Sequence, residues 1–318
     1  MAVYTHLSAE TLCDLIAQYD VGELVSAKGI AEGVSNSNWL VETTRDRFIL
    51  TMYERRIDLA DLPYFLGLMD HLSAKGCPVP RTIHDRDGTA FRMLDGKAVA
   101  LIEFLPGVSV DHPKPAQAHA VGEALADMHQ AAQDFTGARA NDLGPDASAS
   151  VLANCGSAAL AEINPQLARM TMAANEITSA WPQNLPTSVI HSDLFPDNVL
   201  MNGSSVGALI DFYFACNDAM AYDLAVTHTA WSFSKDGSEY RAEVGDALVE
   251  GYQSRRKLDA VERAAMPVLV QGACMRFIAS RTQDWIETPA DALVTRKDPM
   301  DFVRRLQFYQ SNGAELFA

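Results

Sequence analysis

The run His191-Ser192-Asp193-Leu194-Phe195-Pro196-Asp197-Asn198-Val199-Leu200, followed shortly by Leu209-Ile210-Asp211-Phe212, decides how this chain is to be read. As a pattern it is H-x-D-x-x-x-x-N, a turn-forming Asn202-Gly203-Ser204-Ser205, then I-D-F. Two short hydrophobic strands are expected at 198–201 and 208–212, so the motif sits on a hairpin. Phosphoryl transfer from ATP asks a protein for little covalent chemistry: a carboxylate to orient and deprotonate the attacking hydroxyl, and oxygen ligands for Mg²⁺ on the phosphates. Asp193 has the right chemistry for the first task, and Asn198 and Asp211 for the second. Mg²⁺ favours few protein oxygens at ~2.0–2.1 Å and lets phosphates and waters complete its octahedron. Singly, each of these residues reads as structural, an Asx-turn, a cap or a satisfied core histidine. Their conjunction within one hairpin is what points to a kinase site, with His191 bracing the loop by hydrogen bonding rather than exchanging protons.

Outward from this motif the chain divides in two. Ser8 is an N-cap candidate, Leu7 can staple to Leu12, and Leu12, Leu15, Ile16 and Tyr19 fall at helical spacing. Strand-forming segments follow at 38–42, 47–53 and 98–104. Between the last two, Leu62, Phe65, Leu66, Met69 and Leu72 make a helical face that stops at Gly76, with Pro78 and Pro80 beyond. The first hundred residues therefore read as a small antiparallel sheet with one intervening helix. Leu105-Pro106-Gly107 breaks the last strand, and helical periodicity dominates afterwards. Expected boundaries are an N-terminal nucleotide-binding lobe at 1–104, a C-terminal catalytic and substrate-binding lobe at 105–318, and a hinge at about 102–107. Val121, Leu125 and Met128 form a buried helix face on which Gly122 permits close packing. Region 134–186, rich in Ala, Asn and Ser, gives only a moderate helical signal.

Composition narrows the partners. The 318 residues are 48% hydrophobic and 21% charged, enough for one large core or two smaller ones. Lys and Arg number 25 against 41 Asp and Glu, a formal net charge of -16. With the acids spread along the chain, nucleic acid is not an expected partner, because that grip needs a basic face on the phosphates. The same field disfavours any phosphate ester unless a metal ion or local donors oppose it. The five cysteines are scattered without metal spacing and read as reduced thiols. Glu10, Asp14 and Asp20 replace the basic start of a secretory signal, and no stretch reaches the ~18 apolar residues of a membrane span, so a cytoplasmic location and no membrane partner are expected.

Further landmarks stand in order around the hairpin: Gly29-Ile30-Ala31-Glu32-Gly33-Val34-Ser35-Asn36-Ser37-Asn38, Ala100-Leu101-Ile102-Glu103-Phe104-Leu105-Pro106-Gly107, Val121 to His129, and Ala221-Tyr222-Asp223-Leu224-Ala225. With these, the chain resembles the kinase-like aminoglycoside phosphotransferase superfamily over about residues 25–235. That superfamily includes small-molecule kinases for choline, methylthioribose, aminoglycosides and homoserine. The resemblance implies an α+β, protein-kinase-like two-lobe fold, with a small antiparallel N-terminal sheet lobe carrying one helix and a larger, mainly helical C-terminal lobe. It implies ATP and Mg²⁺ as cofactors. It places Gly33, Ser35, Asn36, Ser37 and Asn38 at the nucleotide loop and Ile102, Glu103 and Leu105 at the adenine-holding hinge. The wording of 191–200, of 210–218 and of Phe48-Ile49-Leu50-Thr51-Met52-Tyr53-Glu54 is similar to bacterial homoserine kinases of this type. This implies phosphorylation of the side-chain hydroxyl of L-homoserine, an amino-acid alcohol, on the way to threonine.

The chain departs from the pattern in places. Thr51 stands where kinases usually carry the strand lysine, and the helix at 62–72 holds no Glu. Arg55, Arg56 or Lys28 can substitute, or the metal carries more of the charge. Two glycines, Gly29 and Gly33, make a sparse phosphate loop. A zwitterionic substrate needs a cation and an acid, for which Arg276, Arg281 and Asp218 are candidates, although arginines on a helix are ordinarily surface groups. Choline or ethanolamine, an aminoglycoside or a sugar alcohol remain open as substrates, as do a nucleotide-binding regulatory pseudokinase and a helical scaffold with a coincidental hairpin.

Overall fold

The structure, a computed structural model, describes residues 5, 7–30, 36–54, 57–288 and 296–317. The chain forms two compact units, Met1–Gly107 and Val108–Ala318.

In the first unit, helix α1 (Ala9–Ile16) is followed by strands β1 (Leu24–Ile30), β2 (Asn36–Thr43) and β3 (Arg47–Tyr53), helix α2 (Leu62–Ala74), and strands β4 (Thr82–Ile83), β5 (Arg92–Leu94) and β6 (Lys97–Glu103). The sheet runs β1-β2-β3-β6-β4, antiparallel, with β5 paired to β6. Ser8 caps α1, its Oγ accepting the Thr11 N–H at 3.0 Å. This presents Leu12, Leu15 and Ile16, with Tyr19 just beyond, to one face of the sheet. There they meet Trp39, Val41, Phe48, Leu50, Met52, Val99 and Leu101, alternate residues that the register sets side by side, as in Trp39↔Leu50↔Leu101. Burying each such side chain contributes roughly 1.5–3 kcal/mol. The opposite pleat face carries Asn38, Thr51 and Ala100 in one cross-strand row. Strand β2 begins at Asn36, earlier than the expected 38. Strand β1 had no sequence signature because its burial does not alternate, as befits a half-exposed edge strand.

The second unit begins with α3 (Pro115–Ala131), and region 134–186 resolves into α4 (Pro145–Cys155), α5 (Ser157–Ile163) and α6 (Met170–Ser179). These were faint in the sequence because they bury little; α4 hides only Ser148 and Leu152. Two small antiparallel pairs follow. Strand β7 (Thr187–Ile190) pairs with β10 (Cys216–Ala219), and between them in sequence lies the hairpin of β8 (Val199–Asn202) and β9 (Ser205–Leu209). Helices α7 (Met220–Trp231), α8 (Ala242–Arg255), α9 (Ala260–Glu287) and α10 (Met300–Leu316) complete the unit. Every residue of α7 is buried, so it has no polar stripe and serves as the central strut. The close approach expected at Gly122 is present. A Cβ there would lie 2.1 Å from the Leu248 carbonyl oxygen of α8, and one at Gly251 would lie 2.0 Å from that of His119 of α3. Among the described residues, no helix is long and apolar enough to cross a membrane. All five cysteines are free.

Candidate active site

Strand β7 delivers the chain into loop 191–198, and α7 begins directly after its partner β10. This brings Asp223, in the first turn of α7, beneath the loop. Asp223 is fully buried, and its carboxylate accepts three hydrogen bonds: from the His191 N–H at 2.6 Å, from the Ser192 N–H at 2.7 Å and from His129 Nε2 at 3.0 Å. Burial alone would raise its pKa, but the His129 hydrogen bond and the loop N–H groups hold it below the ordinary carboxylate value. His129 belongs to α3, and its Nδ1 lies 2.9 Å from Tyr252 Oη of α8. The helix contact that Gly122 and Gly251 allow is thus part of what fixes the loop.

The loop itself is held residue by residue. Ser192 adopts a left-handed conformation, φ 69°, and its carbonyl and hydroxyl both accept from Arg276 Nη1 of α9, the hydroxyl at 2.8 Å. The Leu194 carbonyl accepts from Trp231 Nε1 at 3.0 Å. His191 is fully buried. Its Nε2 donates to the Ile210 carbonyl at 2.9 Å, and its Nδ1 accepts the Asp193 N–H at 3.3 Å. Burial holds its pKa below the usual imidazole value, so the ring is neutral and braces the loop to the hairpin.

Asn198 closes a tight turn, Pro196–Asn198, ahead of β8, rather than opening the strand as expected. Its Nδ2 donates to the Asp193 carbonyl at 2.7 Å and to Asp193 Oδ2 at 3.2 Å. Asp211 likewise lies beyond the end of β9 and not on the strand. It is left-handed, φ 66°, and the Ile210 N–H donates to the Asn198 carbonyl at 3.0 Å, so Asn198 and Asp211 stand together at the open end of the hairpin. Asp193, 20% exposed, is pushed up to about 7, first by burial and then by the Asp211 charge, against the opposing pull of Arg276. Asp211 is accessible to solvent yet crowded by surrounding protein, which, with Asp197 nearby, pushes it up to about 6. Lys297 opposes both shifts. Two carboxylates unwilling to ionise side by side suit a divalent cation, and an amide oxygen with a carboxylate is the hard donor set Mg²⁺ takes.

The substrate candidates separate. Arg276 is no surface group; it is 5% exposed, with Nη2 3.9 Å from Asp193 Oδ1. Arg281 is committed elsewhere, donating to Asp301 Oδ2 at 2.7 Å and lying over the Phe302 ring. Asp218 lies in β10, where its Oδ2 accepts from Asn141 Nδ2 at 2.6 Å and its Oδ1 from the Ala219 N–H at 2.6 Å. In the first unit, Gly33, Ser35, Arg55 and Arg56 lie outside the described residues. Asn36, Ser37 and Asn38 belong to β2 and not to a loop tip. Ser37 Oγ donates to Glu54 Oε1 at 2.7 Å, and Asn38 Oδ1 accepts from Thr51 Oγ1 at 2.8 Å. The strand-lysine position is thus filled by a neutral pair, while the ion pair Lys97–Glu54 lies at the β3 and β6 ends. Lys28 is exposed on β1 and makes no ion pair among the described residues. Ile102 is buried near the end of β6, Glu103 ends that strand with its carboxylate accepting the Arg81 N–H at 3.3 Å, and Leu105 follows outside regular secondary structure.

Residues 26–258 match the phosphotransferase enzyme family. The chain belongs to this family. Among curated relatives of this phosphotransferase, homoserine kinase of Granulibacter bethesdensis is 48% identical over 312 residues, covering 98% of this chain and 97% of that protein. Homoserine kinase of Gluconacetobacter diazotrophicus is 48% identical over 313 residues, with the same coverage. Among solved structures, amicoumacin kinase hAmiN superposes with a TM-score of 0.69 at 14% identity, over 97% of this chain and 94% of that one. Spectinomycin phosphotransferase does so with 0.70 at 13%, over 98% of each. At that identity the structures establish the fold, a two-lobe kinase-like one.

Sequence reading missed the anchors of the phosphotransferase loop. His129 and Asp223 stood in recognised segments but carried no role, and Lys297 drew no attention. One signal was available for Asp223: the single carboxylate in a helix that has no charged or strongly polar stripe to face water must find buried partners.

Proposed function

We propose that this phosphotransferase transfers the γ-phosphoryl group of ATP to the side-chain hydroxyl of L-homoserine, forming O-phospho-L-homoserine for threonine biosynthesis. The observation that carries the reading is 48% identity along almost the whole chain to homoserine kinases, relatives whose length it matches.

In this reading Asp193 is the catalytic base. Asn198 occupies its Oδ2, leaving Oδ1 to orient the acceptor hydroxyl and take its proton as the oxygen–phosphorus bond forms. His191, neutral and bonded at both ring nitrogens, keeps the loop in register with the hairpin. With the Asn198 amide nitrogen spent on Asp193, its oxygen and the Asp211 carboxylate are the groups that would hold Mg²⁺. When bound, the ion neutralises phosphate charge and lowers the pKa of both neighbouring carboxylates. Ile102, Glu103 and Leu105 would contact the adenine, and Gly33, Ser35, Asn36, Ser37 and Asn38 the phosphates. Asp218, held by Asn141, suits the substrate ammonium. The substrate is a small molecule; the charge of -16 argues against a nucleic-acid partner, and free thiols with an ATP substrate fit a cytoplasmic setting.

The site speaks against a regulatory pseudokinase, because the three residues that do the chemistry are brought together. An ADP-release assay over L-homoserine, L-serine, L-threonine, choline and an aminoglycoside tests the substrate. Preference for L-homoserine is expected; comparable turnover of choline or of the aminoglycoside would overturn the assignment.

A further inference from the structure

Arg276 is almost completely buried in α9, with the residues on both sides of it buried as well. A guanidinium in such a place is costly unless its donors are used. Its Nη1 is used on a single residue, donating to both the carbonyl and the hydroxyl of Ser192. Its Nη2 stops 3.9 Å from Asp193 Oδ1, too far for a hydrogen bond, so the charge is felt while the oxygen stays open. The Phe277 and Phe214 rings, 4.8 and 5.6 Å from its Cζ, flank the planar group.

Ser192 is where the loop most needs holding. It is left-handed, a conformation that a residue with a Cβ does not keep without support. Asp223 takes the N–H groups on its near side. The Ser192 carbonyl belongs to the peptide that leads into Asp193, and rotation of that peptide would swing the Asp193 carboxylate away from an acceptor. Arg276 is the side chain bonded to that carbonyl.

We infer that Arg276 is a positioning residue for phosphoryl transfer: by gripping the Ser192 carbonyl and hydroxyl it fixes the peptide that aims Asp193, rather than binding the carboxylate of the substrate. The inference rests on the reading of Asp193 as the base. It explains why an arginine stands here, because one nitrogen serves both Ser192 oxygens while the second nitrogen of the same planar group stands beside the carboxylate, and a lysine ammonium has no second nitrogen to place there.

The test is steady-state kinetics of full-length Arg276→Met and Arg276→Lys with L-homoserine and ATP, alongside Asp193→Ala and thermal melting of each. For Arg276→Met, kcat is expected to fall by roughly 100-fold, the scale of a small misplacement of a catalytic group, with KM for both substrates nearly unchanged. Arg276→Lys should recover only part of the turnover at near-native melting temperature; should Arg276→Met not fold, the same split is read on Arg276→Lys. A large rise in KM for L-homoserine with kcat preserved would overturn the inference and make Arg276 a substrate ligand. Wild-type turnover in Arg276→Lys and Arg276→Met, with Asp193→Ala inactive, would overturn it while leaving the base intact. Full activity in Asp193→Ala would instead remove the reading on which it stands.

Discussion

Around Asp193 the backbone is gripped by charged and aromatic side chains arriving from α7 and α9, whereas around Thr51 two neutral side chains bond each other on adjacent strands. Both regions serve one reaction in the proposed reading. The first is irregular chain, with Ser192 and Asp211 left-handed, and it has no ladder to hold it. It depends on buried ionic anchors, each expensive to lose. The second is ordinary sheet, held by β2–β3–β6 pairing and by the core beneath it, so its polar residues add little rigidity. In that reading, catalytic precision is placed where the backbone is least regular, and opposing the charge of ATP in an acidic protein would fall to the metal.

The largest expected effect is that of Asp193→Ala, a loss of about 10²–10⁴ in kcat with nucleotide affinity nearly unchanged, measured by single-turnover kinetics and equilibrium titration. Normal turnover would erase the contrast between loop and strand. Next, Asp211→Asn or excess chelator should weaken nucleotide binding on the order of tenfold or more, since one coordinating charge is lost or the ion removed. Tight ATP binding in chelator would show that protein cations do the work assigned here to Mg²⁺. Asp223→Asn should cost about 3–5 kcal/mol of stability in urea unfolding, because a buried anion with fixed partners is removed. The folded pKa of Asp223 lies below its ordinary value, so its stabilising contribution is full above about pH 4 and is lost as pH falls through the folded value. The gap between wild type and Asp223→Asn should accordingly narrow in acid; a constant gap would mean that the anion is not what anchors the loop. Smallest is Thr51→Val, which removes one hydrogen bond and should cost only about 0.5–1.5 kcal/mol, with little change in the KM for ATP. A collapse of ATP affinity there would show that the neutral pair does more than fill the row.

Much of this was legible because it is local. Asp193, Asn198 and Asp211 lie within one hairpin motif, and their residue types at that spacing are what the proposed roles were read from. The apolar faces of α1, α2 and α3 could be read by period, and Gly122 by its place on such a face. The anchors could not, because Asp223 reaches His191 and Ser192 across 32 and 31 residues, and Arg276 reaches Ser192 across 84. Such contacts leave no periodic trace. Arg276 looked like a surface cation because helix position alone does not report burial. Strand β1, half-exposed at a sheet edge, lacks the alternation by which strands are recognised.

The left-handed backbone at Ser192 and Asp211 sets a direction for laboratory evolution. Each such non-glycine residue carries a conformational cost of roughly 1–2 kcal/mol that Gly avoids and Asn reduces. A selection for heat resistance alone would therefore enrich Gly or Asn at both positions. Those same exchanges discard the hydroxyl that Arg276 holds and the carboxylate proposed to hold the metal, so in the proposed reading the hardiest descendants of such a library would be the poorest kinases.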